Sequence, residues 1–118
     1  MARVREQDPH REALAGVLDQ WNAVLQTKRV SAKEVIDAAT DFDIGDSLGD
    51  RRRFLHPEFR EALLIVAGDS GNINSRRLGI WLGANNGKII NSLRIISDGI
   101  SGGIARYRIQ RLYNGRWE

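Results

Sequence analysis

The chain has 118 residues, 42% hydrophobic and 28% charged, the proportions of one soluble globular domain with a single modest core. It contains no cysteine, which excludes disulfides and cysteine-ligated zinc. No apolar run approaches the roughly 18 residues of a membrane span, and the opening MARVREQDPHRE lacks the apolar stretch of a signal peptide, so a cytoplasmic location is expected. The net charge is +3 but unevenly spread. Residues 1–69 carry ten basic and thirteen acidic side chains, residues 70–118 eight basic and two acidic. A basic half of this kind can meet phosphates while the rest stays neutral or acidic.

Residues 1–8 are polar and expected to fray. Asp8 and Pro9 then read as the N-cap and first position of a helix. Leu14, Val17, Leu18, Trp21, Val24 and Leu25 follow at helical spacing and predict one apolar stripe, ending near Gln26–Lys28. A second start lies at Ser31, which forms a capping-box pattern with Glu34 while Val30 and Val35 form a hydrophobic staple. That helix is expected over Ala32–Ala39, and Val30 also suits a short strand just before it.

Residues 41–56 (DFDIGDSLGDRRRFLH) predict a long loop with a short turn around Phe54-Leu55. Its aspartates do not make a calcium loop. Counting from Asp41, the positions that need Gly and Glu hold Asp46 and Arg52. Arg51, Arg52 and Arg53 read as a solvated run partnered by those aspartates. Pro57 to Ala67 predicts a helix with acids in its first turn and Phe59, Leu63, Val66 and Ala67 inward. Gly68 to Gly71 is its stop and turn.

The next helix is expected from Asn74 or Ser75 to about Asn85, within 74–86, ended by Asn86-Gly87. Leu78, Trp81, Leu82 and Asn85 share one face; Arg76, Ile80 and Gly83 lie opposite, with Arg77 on a flank. Lys88–Ile96 and Ile104–Leu112 are β-branched and aromatic, so both predict strands, joined by a loop over Ser97–Gly103 with Asp98 at its tip. In the second strand Tyr107 and Ile109 alternate with Arg106 and Arg108, so the arginines are expected to project outward, as is Arg94. Residues 114–118 read as a tail.

Catalysis finds little support. His10 and His56 have no second ligand at metal spacing, no Ser lies in a G-x-S-x-G elbow, and the run Gly83–Lys88 is one residue short of a phosphate loop and follows a helix. No enzyme activity, metal or cofactor is expected. The order helix, helix, helix, helix, strand, strand predicts a mainly α fold with a small antiparallel β-hairpin, of winged helix-turn-helix type. A helix that enters the major groove needs an apolar back and a front of small and basic side chains. Leu78, Trp81 and Leu82 supply the back. Ser75, Arg76, Ile80 and Gly83 are expected to supply the front, and Arg76 and Arg77 add charge at a helix N-terminus suited to phosphate. Lys88, Arg94, Arg106 and Arg108 of the wing complete the expected DNA-binding set. With four to six of these cations engaged, the salt slope of binding is expected at roughly −4 to −5, with weak sequence specificity. The rival readings are a protein-docking or oligomerisation module and a small transcriptional regulator, which would need a dimerisation element.

The stretch from Gly71 to Leu112 resembles the C-terminal winged-helix segment of primase/helicase proteins carried by phages and integrated mobile elements. The similarity lies in Ser75-Arg76-Arg77-Leu78-Gly79 with Trp81-Leu82, then Gly87-Lys88-Ile89, then the strand from Gly103 to Ile109. The helices Glu58–Ala67 and Ser31–Ala39 match more loosely. The resemblance implies a duplex-DNA-binding or regulatory accessory module, a domain of a larger replication protein whose ATP-binding and metal-binding motifs lie outside these residues.

Overall fold

A computed structural model describes residues 8–43 and 53–118, which form four helices and a small antiparallel sheet. Of residues 1–8, expected to fray, residues 1–7 lie outside the described residues, as do Arg51 and Arg52 of the arginine run, while Asp8 is fixed as a helix cap.

Helix α1 spans Pro9–Val24. The Asp8 carboxylate accepts from the N–H groups of His10 (3.0 Å) and Arg11 (3.3 Å), so the helix starts where its cap dictates, and Leu14, Val17, Leu18 and Trp21 are buried. Strand β1 (Val30–Ser31) runs directly into helix α2 (Ala32–Thr40). The capping box is complete: Glu34 N–H donates to Ser31 Oγ at 3.2 Å, and Ser31 N–H donates to Glu34 Oε1 at 3.0 Å. Val30 and Val35 are both buried, as a staple requires.

The stretch after α2 is not simply a loop. Strand β2 (Phe42–Asp43) pairs antiparallel with β3 (Arg53–Phe54), and Leu55 N–H reaches Asp41 O at 2.9 Å. Composition hid this pair because each strand is only two residues long. Helix α3 (Pro57–Ala67) buries Phe59, Ala62, Leu63 and Ala67, while Val66 is only partly covered. Its stop is a hairpin of its own: β4 (Gly68–Asp69) pairs with β5 (Asn72–Ile73) across Ser70 and Gly71. Both central residues have positive φ (53° and 82°), the requirement of a type I′ turn. Helix α4 (Ser75–Ala84) follows, capped by Asn74, whose Oδ1 accepts from Arg77 N–H at 3.0 Å.

The last third departs most from expectation. Strand β6 spans Leu93–Ser101 and starts later than Lys88, because Asn91 and Ser92 adopt positive φ in a tight turn closed by two 3.0 Å bonds between Ile90 and Leu93. Strand β7 spans Ile104–Tyr113, and only Gly102-Gly103 separates the two. Asp98 is therefore not at the tip. It sits with Gly99 in a β-bulge where the register shifts between Ser97 and Ile100. Residues 114–118 are no tail either. Asn114-Gly115, both at positive φ, turn the chain so that β8 (Arg116–Trp117) pairs with β7. The sheet has β7 at its centre. Strand β6 lies on one edge, while β1 pairs with β7 at Tyr107 and Arg106. Arg111 exchanges backbone bonds with Glu118, whereas Leu112 N–H turns to Ser92 O, which places β8 on the edge away from β6.

One core joins all of this. Trp21 of α1 meets Phe59 of α3 edge-on at 6.3 Å between centroids, and Leu78, Leu82, Ile95, Tyr107 and Ile109 close around them. Tyr107 and Ile109 face inward as their alternation predicts, which leaves the even-numbered residues of β7 on the outer face.

Candidate nucleic-acid interface

The expected cations separate into two groups. The first belongs to α4. Leu78 and Leu82 are buried, which turns Arg76 and Ile80 outward with Arg77 on the flank; Ser75, at the first helical position, is exposed as well. Arg76 makes no ion pair among the described residues. Arg77 donates to Gly68 O at 3.0 Å and so also fastens the hairpin ahead of its helix. Trp81 is half-buried, and the side chain of Asn85 donates back to Trp81 O at 2.9 Å, which tightens the last turn. Gly87 N–H reaches Ile95 O at 2.9 Å and Ser97 N–H reaches Asn86 Oδ1 at 2.7 Å, so the far end of α4 is pinned to β6. Ten helical residues span about 15 Å. Arg76 and Arg77 stand that far along the helix from the sheet. Lys88, exposed just past the pin, lines a 340 Å³ cleft with Asp8, His10 and Arg11.

The second group is on the sheet's outer face, and it does not project freely as expected. Arg106 pairs with Glu34 of the α2 capping box. Arg108 Nε lies 3.5 Å from Asp98 Oδ2, which is equally 3.5 Å from Arg29 Nε. Arg29 also donates twice to the Asp98 carbonyl, at 2.8 and 2.6 Å. Arg94 donates to Gln110 Oε1 at 2.8 Å and lays its guanidinium 3.9 Å over the Trp117 ring. These side chains are only partly exposed, because a strand standing on a two-sided sheet finds partners at once from its neighbours. Glu34 has its carboxyl held below the ordinary range, first by the Ser31 N–H and then by the Ser31 hydroxyl and the nearby charges of Arg106 and Lys28.

Arg29, Glu34, Asp98 and Trp117 belong to this face without having been singled out for it. Two of them carried a signal. A lone Gly inside a strand pattern, Gly99, marks a bulge and so moves Asp98 off the loop tip. Asn114-Gly115 is the strongest short hairpin signal and places Trp117 back on the sheet. Nothing local announces Arg29, whose partner lies 69 positions away.

Among the described residues no group of three His, Asp or Glu side chains could hold a metal ion. Among the described residues no helix is long and apolar enough to cross a membrane. No protein-family model matches this chain, and neither curated proteins nor solved structures give a match.

Proposed function

We propose that the chain is a non-catalytic DNA-binding domain of winged helix-turn-helix type that holds duplex mainly through phosphate contacts. The observation that carries this reading is α4: its apolar side is buried by Leu78 and Leu82, its outer side presents Arg76 and Ile80 with Arg77 on the flank, and Ser75 is exposed at its first position. A helix N-terminus with two added guanidiniums attracts phosphate. The element order supports the same reading, since β1 precedes α2 and pairs with the second strand of the hairpin that follows α4. An accessory role in a phage or mobile-element primase/helicase rests on the sequence resemblance alone.

The test is a titration into a short labelled duplex at two salt concentrations, with the Arg76→Ala/Arg77→Ala variant alongside. Salt-sensitive binding is expected, with the slope reduced by about 1.8 in the variant. Duplex binding that the variant leaves intact would remove α4 from the interface.

A second reading has its own observation. Ile65 is 73% exposed and borders a 580 Å³ cleft with Val66, Trp81 and Ala84, an apolar surface suited to a protein partner. Sedimentation of the free domain tests whether that surface self-associates.

A further inference from the structure

We infer that the outer face of the sheet is a separate seat for a single nucleic-acid strand, with Asp98 standing where a phosphate would otherwise lie. The inference deepens the nucleic-acid reading and rests on it, but uses a different surface from α4.

Four guanidiniums, those of Arg29, Arg94, Arg106 and Arg108, meet on this face with two carboxylates, Glu34 and Asp98. Their satisfaction is incomplete. The Nε atoms of Arg106 and Arg108 are buried and make no hydrogen bond. Buried donors without acceptors are uncommon in folded proteins. The Asp98 carboxylate lies between Arg29 and Arg108 at 3.5 Å from each, close enough to neutralise and too far for a good hydrogen bond. A phosphate between the same two guanidiniums brings two free oxygens of fixed geometry, which arginine recognises in bidentate fashion. The bulge holds the place open. Gly99 has φ +77°, and a Cβ on it would come within 3.2 Å of the Arg29 guanidinium.

The stack at the other end of β7 supplies what a base needs. Along the outer face of β7, Arg106, Arg108, Gln110 and Leu112 succeed one another at about 7 Å, close to the separation of neighbouring phosphates in an extended strand. Leu112 is opposite Trp117 in the register, and the Trp117 indole, only partly covered, already carries the Arg94 guanidinium. Arginine and tryptophan planes are surfaces on which unpaired bases stack, and a duplex keeps its bases stacked on each other. The cations and the stack together therefore select a single strand.

The test compares oligo-dT, oligo-U and a duplex of equal length, read by anisotropy, with the Trp117→Ala, Asp98→Asn and Arg76→Ala/Arg77→Ala variants and circular dichroism to check folding. Asp98→Asn keeps the carbonyl that Arg29 binds, so it removes charge and leaves the bulge. The expected result is single-strand binding weakened about five- to a hundredfold by Trp117→Ala, tightened about three- to tenfold by Asp98→Asn, and unchanged in the α4 variant. Tighter binding to oligo-dT or to oligo-U assigns the source of the strand. Single-strand binding that ignores both sheet variants overturns the inference, as does duplex binding with none to single strands; where the Arg76→Ala/Arg77→Ala variant weakens that binding, the α4 reading stands without the sheet seat. Binding to neither nucleic acid overturns the inference together with the reading beneath it. A polyglutamate peptide bound as tightly, with the same response to Asp98→Asn, overturns it in favour of an acidic protein partner.

Discussion

Arg106 of β7 donates to the carboxylate of Glu34 in α2, joining residues 72 positions apart. The same carboxylate caps its own helix, so one side chain ties the start of α2 to the sheet. Replacing Glu34 with Ala is expected to lower the urea midpoint of unfolding at neutral pH, because it removes the reciprocal half of the capping box together with the pairing to Arg106.

Acid should act through the same group. The Glu34 carboxyl has a lower pKa folded than unfolded, so the unfolded chain takes up a proton first as pH falls. Its contribution is full above about pH 4.3 and disappears as pH drops through the depressed folded value. Unfolding midpoints of the native chain and of Glu34→Gln should therefore converge toward low pH. A gap that stays constant down to pH 2 would contradict this.

Trp21 is fully buried against Phe59, yet its Nε1 has no hydrogen-bond partner. Trp21→Ala should cost about 3–5 kcal/mol through lost burial and an unfilled cavity. Trp21→Phe should cost under about 2 kcal/mol, because it leaves a smaller void and deletes the unsatisfied donor. A Trp21→Phe loss as large as that of Trp21→Ala, by thermal or chemical unfolding, would contradict this.

Arg76 and Arg77 are adjacent but differ in duty. Arg76→Ala should leave stability within about 0.5 kcal/mol, while Arg77→Ala loses the bond to Gly68 O and should cost about 0.5–1.5 kcal/mol. Both should weaken duplex binding. Comparing melting temperature with affinity for each single variant separates structure from recognition.

Gly68 is the hinge between α3 and the β4–β5 hairpin. A Cβ there would run into the Leu64 carbonyl oxygen, which is backbone and cannot swing aside. Gly68→Ala is expected to destabilise by about 1–3 kcal/mol, whereas Gly16→Ala, with open space around it in the middle of α1, should stabilise by about 0.4–1 kcal/mol.

Much of the helical half was legible because its signals are local. Asp8 before Pro9, Ser31 with Glu34, Pro57 with Glu58, and Asn74 ahead of Ser75 each set a helix start within one turn of chain, and the 3.6-residue spacing of Leu14, Val17, Leu18 and Trp21 or of Leu78 and Leu82 named the buried faces. The alternation in β7 likewise placed Tyr107 and Ile109 inside. The two-residue strands β2 to β5 were not legible, because so few residues carry no period. The turn at Asn91 and Ser92 was missed because positive φ is uncommon outside glycine.

The candidate interface divides along the same line. Local spacing by itself determined that Arg76 and Ile80 lie on the outer side of one helix with Arg77 on its flank, since a helix sets its faces within its own turns. Only the tertiary structure decided the fate of Arg94, Arg106 and Arg108. Their partners, Trp117, Glu34 and Asp98, come from another strand, another helix and a bulge, and a charge is free or neutralised according to what long-range pairing sets beside it.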